Sequence, residues 1–557
     1  LFRKRTIILL TLAVFLVTFC LYLSTLSHGF SDDESLSYAI ALEKGWFQYP
    51  PNAFHLLWTP VGELIKSVIA MPGLSVRGLE ILEWTNAACG ALTCAFLFFL
   101  LLSITADASL SFIAALFVAF SRPFWDLCVS CKLYTLSGLL IVAFYFLLKV
   151  CREGSRRSAW AVGLTHALAV LAHASNGPFM FVVLAGIFFP GRRRCLKDRI
   201  VLAFNYLAAL GISLLLFVPL ILSFHGMTIP AMFNGTSFLP AAAQMRSFTM
   251  LLTNFLSVLL AVGKMHFLPA FMATAGNTAV AAVRIESLLL SSVLLFVAVI
   301  SIMYLLPGIR TRLPWRLEYV LCLLWLLACL VPSFILSTDN IKTCMIPIGV
   351  LCGLGFALIV RLNMGERAAL LRRRIVLPVF AVMVLAAVYL NATGVFIPAG
   401  QGLACPSYGP VSAYASLISP DDLVITSGPV SLYFSYFLGC RVRDVCLNDF
   451  RNPQALLKEV ALALKEGRKV YLHESPGLTG PHYILGDLPC TWNIGKAEYD
   501  NLDAKSRKAV QVYTSADLKR RLAALADLVL VSKYSECDSL LLLKPRKIPV
   551  VSPEEKR

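Results

Sequence analysis

The chain has 557 residues, of which 58% are hydrophobic and 15% charged, and its formal charge at neutral pH is +17. A soluble protein of this size would carry roughly a quarter charged residues, whereas here apolar runs recur from Thr6 to Ile397, each of about 20 residues and able to cross about 30 Å of hydrocarbon. A soluble enzyme is excluded, and the sequence reads as a polytopic α-helical membrane protein over 1–397 with a soluble tail over 398–557.

Hydropathy predicts eleven spans, at 7–26, 80–103, 108–121, 133–149, 159–173, 177–190, 200–222, 285–306, 317–337, 342–361 and 375–397. No small-residue cleavage site precedes the polar segment after the first span, so it is expected to remain as an anchor. With the amino terminus inside, the cytoplasmic segments hold twenty Lys or Arg against four acids, nearly the whole basic excess. The basicity is topological and leaves no nucleic-acid footprint. An odd number of crossings puts the tail outside. The stretch 251–268 is interrupted by Lys264 and His266 and followed by Pro269, so within the outer loop 223–284 it reads as a re-entrant or interfacial helix.

The first outer loop, 27–79, concentrates polar chemistry. It opens with Ser31-Asp32-Asp33-Glu34 and continues through Trp46, Phe47, Tyr49-Pro50-Pro51, Phe54-His55 and Trp58. Ser31 and Glu34 have capping-box spacing, and the dipole favours acids in the turn that follows. Capping explains Ser31 and Glu34 but does not require two further aspartates. The aromatics suit either an interfacial belt or stacking on a sugar or prenyl chain.

Further along, basic residues on the predicted outer side are few: Arg122, Lys132, Arg246, Lys264, Arg284 and Lys342. Lys132 beside Tyr134 and Lys342 at the mouth of the tenth span are candidate anion ligands, each weighed against ordinary snorkelling. His55 and His173 fall at predicted outer span ends.

From Asp421 short β-rich runs (423–426, 469–473, 528–531 and 540–543) alternate with helical patterns such as 453–465, which predicts an α/β layer. The tail lacks a Gly-rich phosphate loop. His473, Glu474 and His482 match no standard metal spacing, and a strand exit is the preferred reading. Five of the sixteen cysteines lie in the tail, with Cys440 and Cys446 one possible bridge.

The arrangement of one span, an acid-opened outer loop, many spans and an outer carboxyl-terminal domain resembles the GT-C superfamily of membrane glycosyltransferases. It is most similar to the protein O-mannosyltransferase and aminoarabinose-transferase-like branch, a resemblance carried over 1–190 by weak motifs. Tyr49-Pro50-Pro51 with His55-Leu-Leu-Trp58 resembles the branch's His-Pro-Pro segment. Ser121-Arg-Pro-Phe-Trp125 with Lys132-Leu-Tyr134 resembles its Phe-Trp and Glu-x-Tyr segment, and Leu171-Ala-His173-Ala-Ser-Asn176 its histidine-bearing segment. Tyr49 stands where histidine is usual, and Lys132 where glutamate is usual.

The resemblance implies transfer of a sugar, usually with inversion, from a polyprenyl-phosphate donor to an acceptor glycan, lipid or protein on the outer face. In that reading Asp33 is the general base and Asp32 the second choice. Glu34, Tyr49, His55, Trp58, Lys132, Tyr134, His173 and Lys342 are substrate-binding candidates. No cofactor is fixed by the sequence, and a divalent cation is the one candidate. A transporter or flippase of lipid-linked saccharide and a lipid-diphosphate-dependent oligosaccharide ligase are the alternatives. No internal repeat of the transporter kind is visible. The single outer tail favours a bacterial inner membrane.

Overall fold

The computed structural model of the protein describes residues 4–27, 33–44, 55–70, 76–131, 138–189, 195–224, 316–335, scattered positions between 346 and 389, and, in the tail, 408–426, 430–445, 454–474, 482–485, 493–494, 510–513, 515–535 and 538–545. The chain divides into two compact units, one of Leu1–Ser31 with Tyr38–Gln401 and the other of Asp32–Ser37 with Gly402–Arg557.

The first unit is helical: α1 (Lys4–Ser24), the Tyr38–Lys44 part of α2 (Asp33–Lys44), α3 (Trp58–Ala70), α4 (Gly78–Thr105), α5 (Ala108–Ala119), α6 (Arg122–Val129), α7 (Gly138–Glu153), α8 (Arg156–Ala172), a 3-10 turn (Ala174–Asn176), α9 (Phe179–Phe188), α10 (Leu196–Phe224) and α11 (Arg316–Ile335). Among the described residues α1, α4 and α10 are long and apolar enough to cross a membrane. The outward sides of α1 and α10 carry Leu9, Leu16, Phe204 and Leu215, the last two 71% and 74% exposed. Such surface is stable only against lipid or another apolar partner.

Contacts between helix ends fall into two groups. On one face, here the loop face, Tyr22 donates to Ala119 O (2.9 Å), Trp125 Nε1 to Thr25 Oγ1 (2.9 Å), and Ser27 N to Val129 O (3.1 Å). On the opposite, basic face Arg152 pairs with Glu318 and Arg199 Nη1 donates to Phe188 O at 2.9 Å. Helix α8 lies unusually close to α10, because a Cβ at Gly163 would sit 2.6 Å from the Tyr206 carbonyl and from Ala209 Cβ.

Two predicted spans come out short. Helix α5 has 12 residues and α9 has 10, giving rises of about 18 and 15 Å, well under the thickness of a bilayer core. Asp107 caps α5 by accepting from Leu110 N (3.1 Å), with Ala106 in the left-handed region (φ 57°) closing α4. The span predicted at 133–149 is helical from Gly138 to Glu153. The segments 251–268 and 285–306 lie outside the described residues, as does most of 342–361 and 375–397.

The second unit contains α12 (Tyr408–Tyr414), β1 (Leu423–Thr426), α13 (Val430–Leu438), β2 (Arg441–Asp444), α14 (Gln454–Lys465), β3 (Val470–Glu474), β4 (His482–Leu485), β5 (Asn493–Ile494), β6 (Val510–Tyr513), α15 (Ser515–Leu522), β7 (Ala526–Ser535) and β8 (Asp538–Pro545). The main sheet runs β2-β1-β3-β8-β7, parallel across its first three strands and antiparallel thereafter. Strand β1 is buried along its whole length, as a central parallel strand should be. Leu456, Val460 and Ala463 recur at helical spacing and turn one side of α14 into the core with Leu423, Leu472 and Leu543. A left-handed Gly467 (φ 73°) ends that helix. A second, antiparallel sheet has the order β5-β4-β6. The suggested bridge from Cys440 is not formed: Cys440 is a buried free thiol donating to Phe434 O at 3.5 Å.

Candidate functional site at the loop face

Asp33 and Glu34 occupy the first two positions of α2, where unpaired backbone N–H groups and the helix dipole favour carboxylates. Further along this helix, Glu43 accepts from Gly78 N (2.9 Å) at the start of α4, and Lys66 of α3 donates to Leu42 O. A side chain at Gly78 would collide with the Ala39 carbonyl, so only glycine allows α2 and α4 to approach this closely. Tyr38 packs edge-on against His55, with ring centroids 6.1 Å apart.

His55 and His173, 118 positions apart in sequence, are brought ring to ring, with centroids 4.5 Å apart and planes at 78°. Both are buried. The pairing is held by the backbone: Leu57 N donates to Leu171 O (2.9 Å), and His55 Nδ1 lies 3.3 Å from Ala172 O. Helix α8 ends at Ala172, so His173 stands just beyond it and caps the 3-10 turn, its Nδ1 accepting from Ser175 N at 3.1 Å. That assignment leaves Nε2 as the protonated nitrogen of a neutral ring.

Trp58 begins α3 immediately after this pair, its N–H donating to His55 O at 3.3 Å. Its side chain is 1% exposed, and the indole Nε1 has no hydrogen-bond partner among the described residues. A buried, unmet donor costs about 1–3 kcal/mol and is accounted for if a ligand supplies the acceptor.

Two groups that hydropathy passed over support this face. His166 lies fully buried between α8 and α10, with Nδ1 taking the Tyr206 hydroxyl (2.7 Å) and Nε2 facing Asn176 O (3.0 Å). Asn176 Nδ2 in turn donates to Ala169 O (2.9 Å), so the turn that carries His173 is tied down at both ends. Glu83 is also fully buried, in the second turn of α4, and accepts from Ser27 Oγ at 2.8 Å. One turn further along the helix, Asn86 Nδ2 donates to Ser130 O at 2.5 Å. One face of α4 therefore anchors Ser27, which leads in sequence to Asp33, and Ser130, which leads to Lys132. The available signal was the presence of a carboxylate and an amide inside an apolar run.

Asp32, Tyr49, Lys132, Tyr134 and Lys342 lie outside the described residues, and of Asp33 and Glu34 only the backbone is described. In the tail, His473 Nδ1 is engaged by Thr426 Oγ1 (2.9 Å), and the ring packs against Phe434 and Tyr414. Glu474 takes Ser539 Oγ (2.9 Å) and pairs with Lys519. Among the described residues no three His, Cys, Asp or Glu side chains converge to hold a metal.

No family model matches the sequence, and no curated protein matches it. Solved structures do match. The apo crystal structure of ArnT from Cupriavidus metallidurans aligns over 96% of this chain and 97% of its own, with TM-score 0.57 and 14% identity. The apo oligosaccharyltransferase of Archaeoglobus fulgidus aligns over 95% of this chain and 80% of its own, with TM-score 0.53 and 11% identity. The same ArnT bound to undecaprenyl phosphate aligns with TM-score 0.48 and 13% identity over 97% of this chain and 98% of its own. The chain shares its fold with the two apo structures along nearly its whole length.

Proposed function

We propose that the protein is an integral-membrane glycosyltransferase that moves a sugar from a polyprenyl-phosphate carrier to an acceptor at the loop face. The observation that carries this reading is the buried His55–His173–Trp58 cluster, packed against the helix that Asp33 opens, within a GT-C fold.

In this reading Asp33 removes the proton from an acceptor hydroxyl or amine as that atom bonds to the anomeric carbon. The bond from that carbon to the carrier phosphate breaks, its electrons leave on the phosphate oxygen, and Asp33 then returns the proton to water. A phosphate is already a competent leaving group, so one carboxylate suffices and the anomeric centre inverts, unlike the paired acids of glycosidases. Lys132 and Lys342 neutralise the departing charge, with Tyr134 donating beside them. The Trp58 indole and the Nε2–H of His173 supply neutral donors to the donor sugar or its phosphate, with His55 packed against them. Tyr49 and Glu34 line the same loop as acceptor contacts, and Asp32 is the alternative base. The positive-inside count orients the loop face and the tail outward, with the amino terminus cytoplasmic, in keeping with a bacterial inner membrane.

The deciding experiment compares Asp33→Asn and Asp32→Asn in purified protein given a polyprenyl-phosphate sugar. Loss of transfer in the first with normal yield and folding supports Asp33 as base, and loss only in the second moves the role by one residue. Full activity in both removes the carboxylate mechanism, and movement of intact lipid-linked sugar without transfer would favour a flippase.

A further inference from the structure

Between α4 and α7 lies an open groove of about 120 Å³ walled by Phe96, Phe99, Ile141, Val142, Tyr145 and Phe146. Phe96 is 46% exposed and continues the outward stripe that Trp84 and Leu92 begin. Phe99 meets Tyr145 with ring centroids 5.5 Å apart, forming the floor. The walls carry no charged side chain.

The end of the groove toward the basic face is different. Lys149 follows Tyr145 by one helical turn, and its Nζ sits 4.9 Å over the Tyr145 ring. Among the described residues it pairs with no carboxylate, whereas nearby Arg152 is committed to Glu318. The start of α8 adds exposed Arg156 and Arg157, against a single acid, Glu153, at the end of α7. An aromatic channel that ends at an ammonium held over a tyrosine ring is complementary to an apolar chain attached to an anion.

We propose that this groove seats one acyl chain of an anionic glycerophospholipid, with its phosphate at Lys149. The cation–π contact holds the ammonium at the mouth, and aromatic walls order a chain that would otherwise move freely. The groove runs along the second half of α4 and the first half of α7, with Lys149 at its far end, and does not depend on the proposed sugar transfer.

The test uses the full-length protein in detergent, with lipid adducts counted by native mass spectrometry. Phosphatidylglycerol should bind as a discrete first copy ahead of phosphatidylcholine. Lys149→Gln should weaken that copy about fivefold, in line with the worth of one lysine near an anionic surface, and Arg156→Gln should not. Val142→Trp, which fills the groove from a partly buried position, should remove the preference while leaving Lys149 in place. Equal binding of the two lipids, an unchanged first copy in Lys149→Gln, or displacement of phosphatidylglycerol by equimolar polyprenyl phosphate would each overturn the assignment. Lipid binding is read without any sugar donor, so a failure here leaves the glycosyltransferase reading untouched, and the reverse also holds.

Discussion

Replacing Glu83 by alanine should disable the loop face while leaving the helical unit assembled. The buried carboxylate accepts from Ser27 Oγ at 2.8 Å, and a hydrogen bond to a charged group contributes about 1.5–3 kcal/mol. Losing it frees the exit of α1, from which the chain reaches Asp33 in six residues. A displacement of about 1 Å at a reacting group costs about 100-fold in rate, so Glu83→Ala is expected to lower kcat far more than it raises KM. Glu83→Gln keeps an acceptor for Ser27 and should restore most of the rate. The assay is initial-rate transfer from a polyprenyl-phosphate donor, with thermal unfolding of the same samples, for Glu83→Ala, Ser27→Ala and the double variant. Coupling of about 1–2 kcal/mol between the two sites is expected. If the single effects add to within about 0.5 kcal/mol, the Ser27 bond is not the means by which Glu83 acts, and the tethering argument is refuted.

Trp58→Phe removes an unmet buried donor, so the ligand-free protein should be unchanged or slightly more heat-stable while KM for the donor rises several-fold; a KM equal to wild type would show that the indole N–H meets no substrate. Gly163→Ala would drive a methyl group to 2.6 Å from the Tyr206 carbonyl. Overpacking of this kind costs about 1–3 kcal/mol, so the variant should unfold at a lower temperature than wild type, and an unchanged midpoint would mean that α8 and α10 have room to part. In the tail, burial, with Asp422 adding to it, pushes the Cys440 thiol up to about 11. Cys440 should resist iodoacetamide at pH 8 in the folded protein and react once it is denatured, and mass spectrometry of tail peptides would expose the error if it labels at once.

Apolar run length alone located α1, α4 and α10, because a helix that faces lipid must be apolar over its whole crossing. The same measure overestimated α5 and α9, since short helices buried among others are equally apolar. Window averaging hid Glu83 and His166, each a single polar group diluted by its neighbours. Their partners Ser27 and Tyr206 are set by helix packing, which local spacing does not encode. In the tail, β1, β3 and α14 followed their periodicity. Strand β2, Arg441-Val-Arg-Asp444, carries three charges in four residues and reads as loop until it pairs with β1. Helix α13, Val430–Leu438, is rich in aromatic residues and carries no helix signal of its own. The His55–His173 contact required two distant span ends to be placed side by side, and only their shared motif likeness hinted at it.

The stack of His166 on Tyr206 ties the register of two long helices to a single imidazole. With α8 and α10 nearly touching at Gly163, axial slippage of α10 by even half a turn would carry the phenol out of reach and leave His166 Nδ1 without its donor. The same imidazole holds the Asn176 carbonyl, so the seating of α10 bears, through that turn, on the placement of His173.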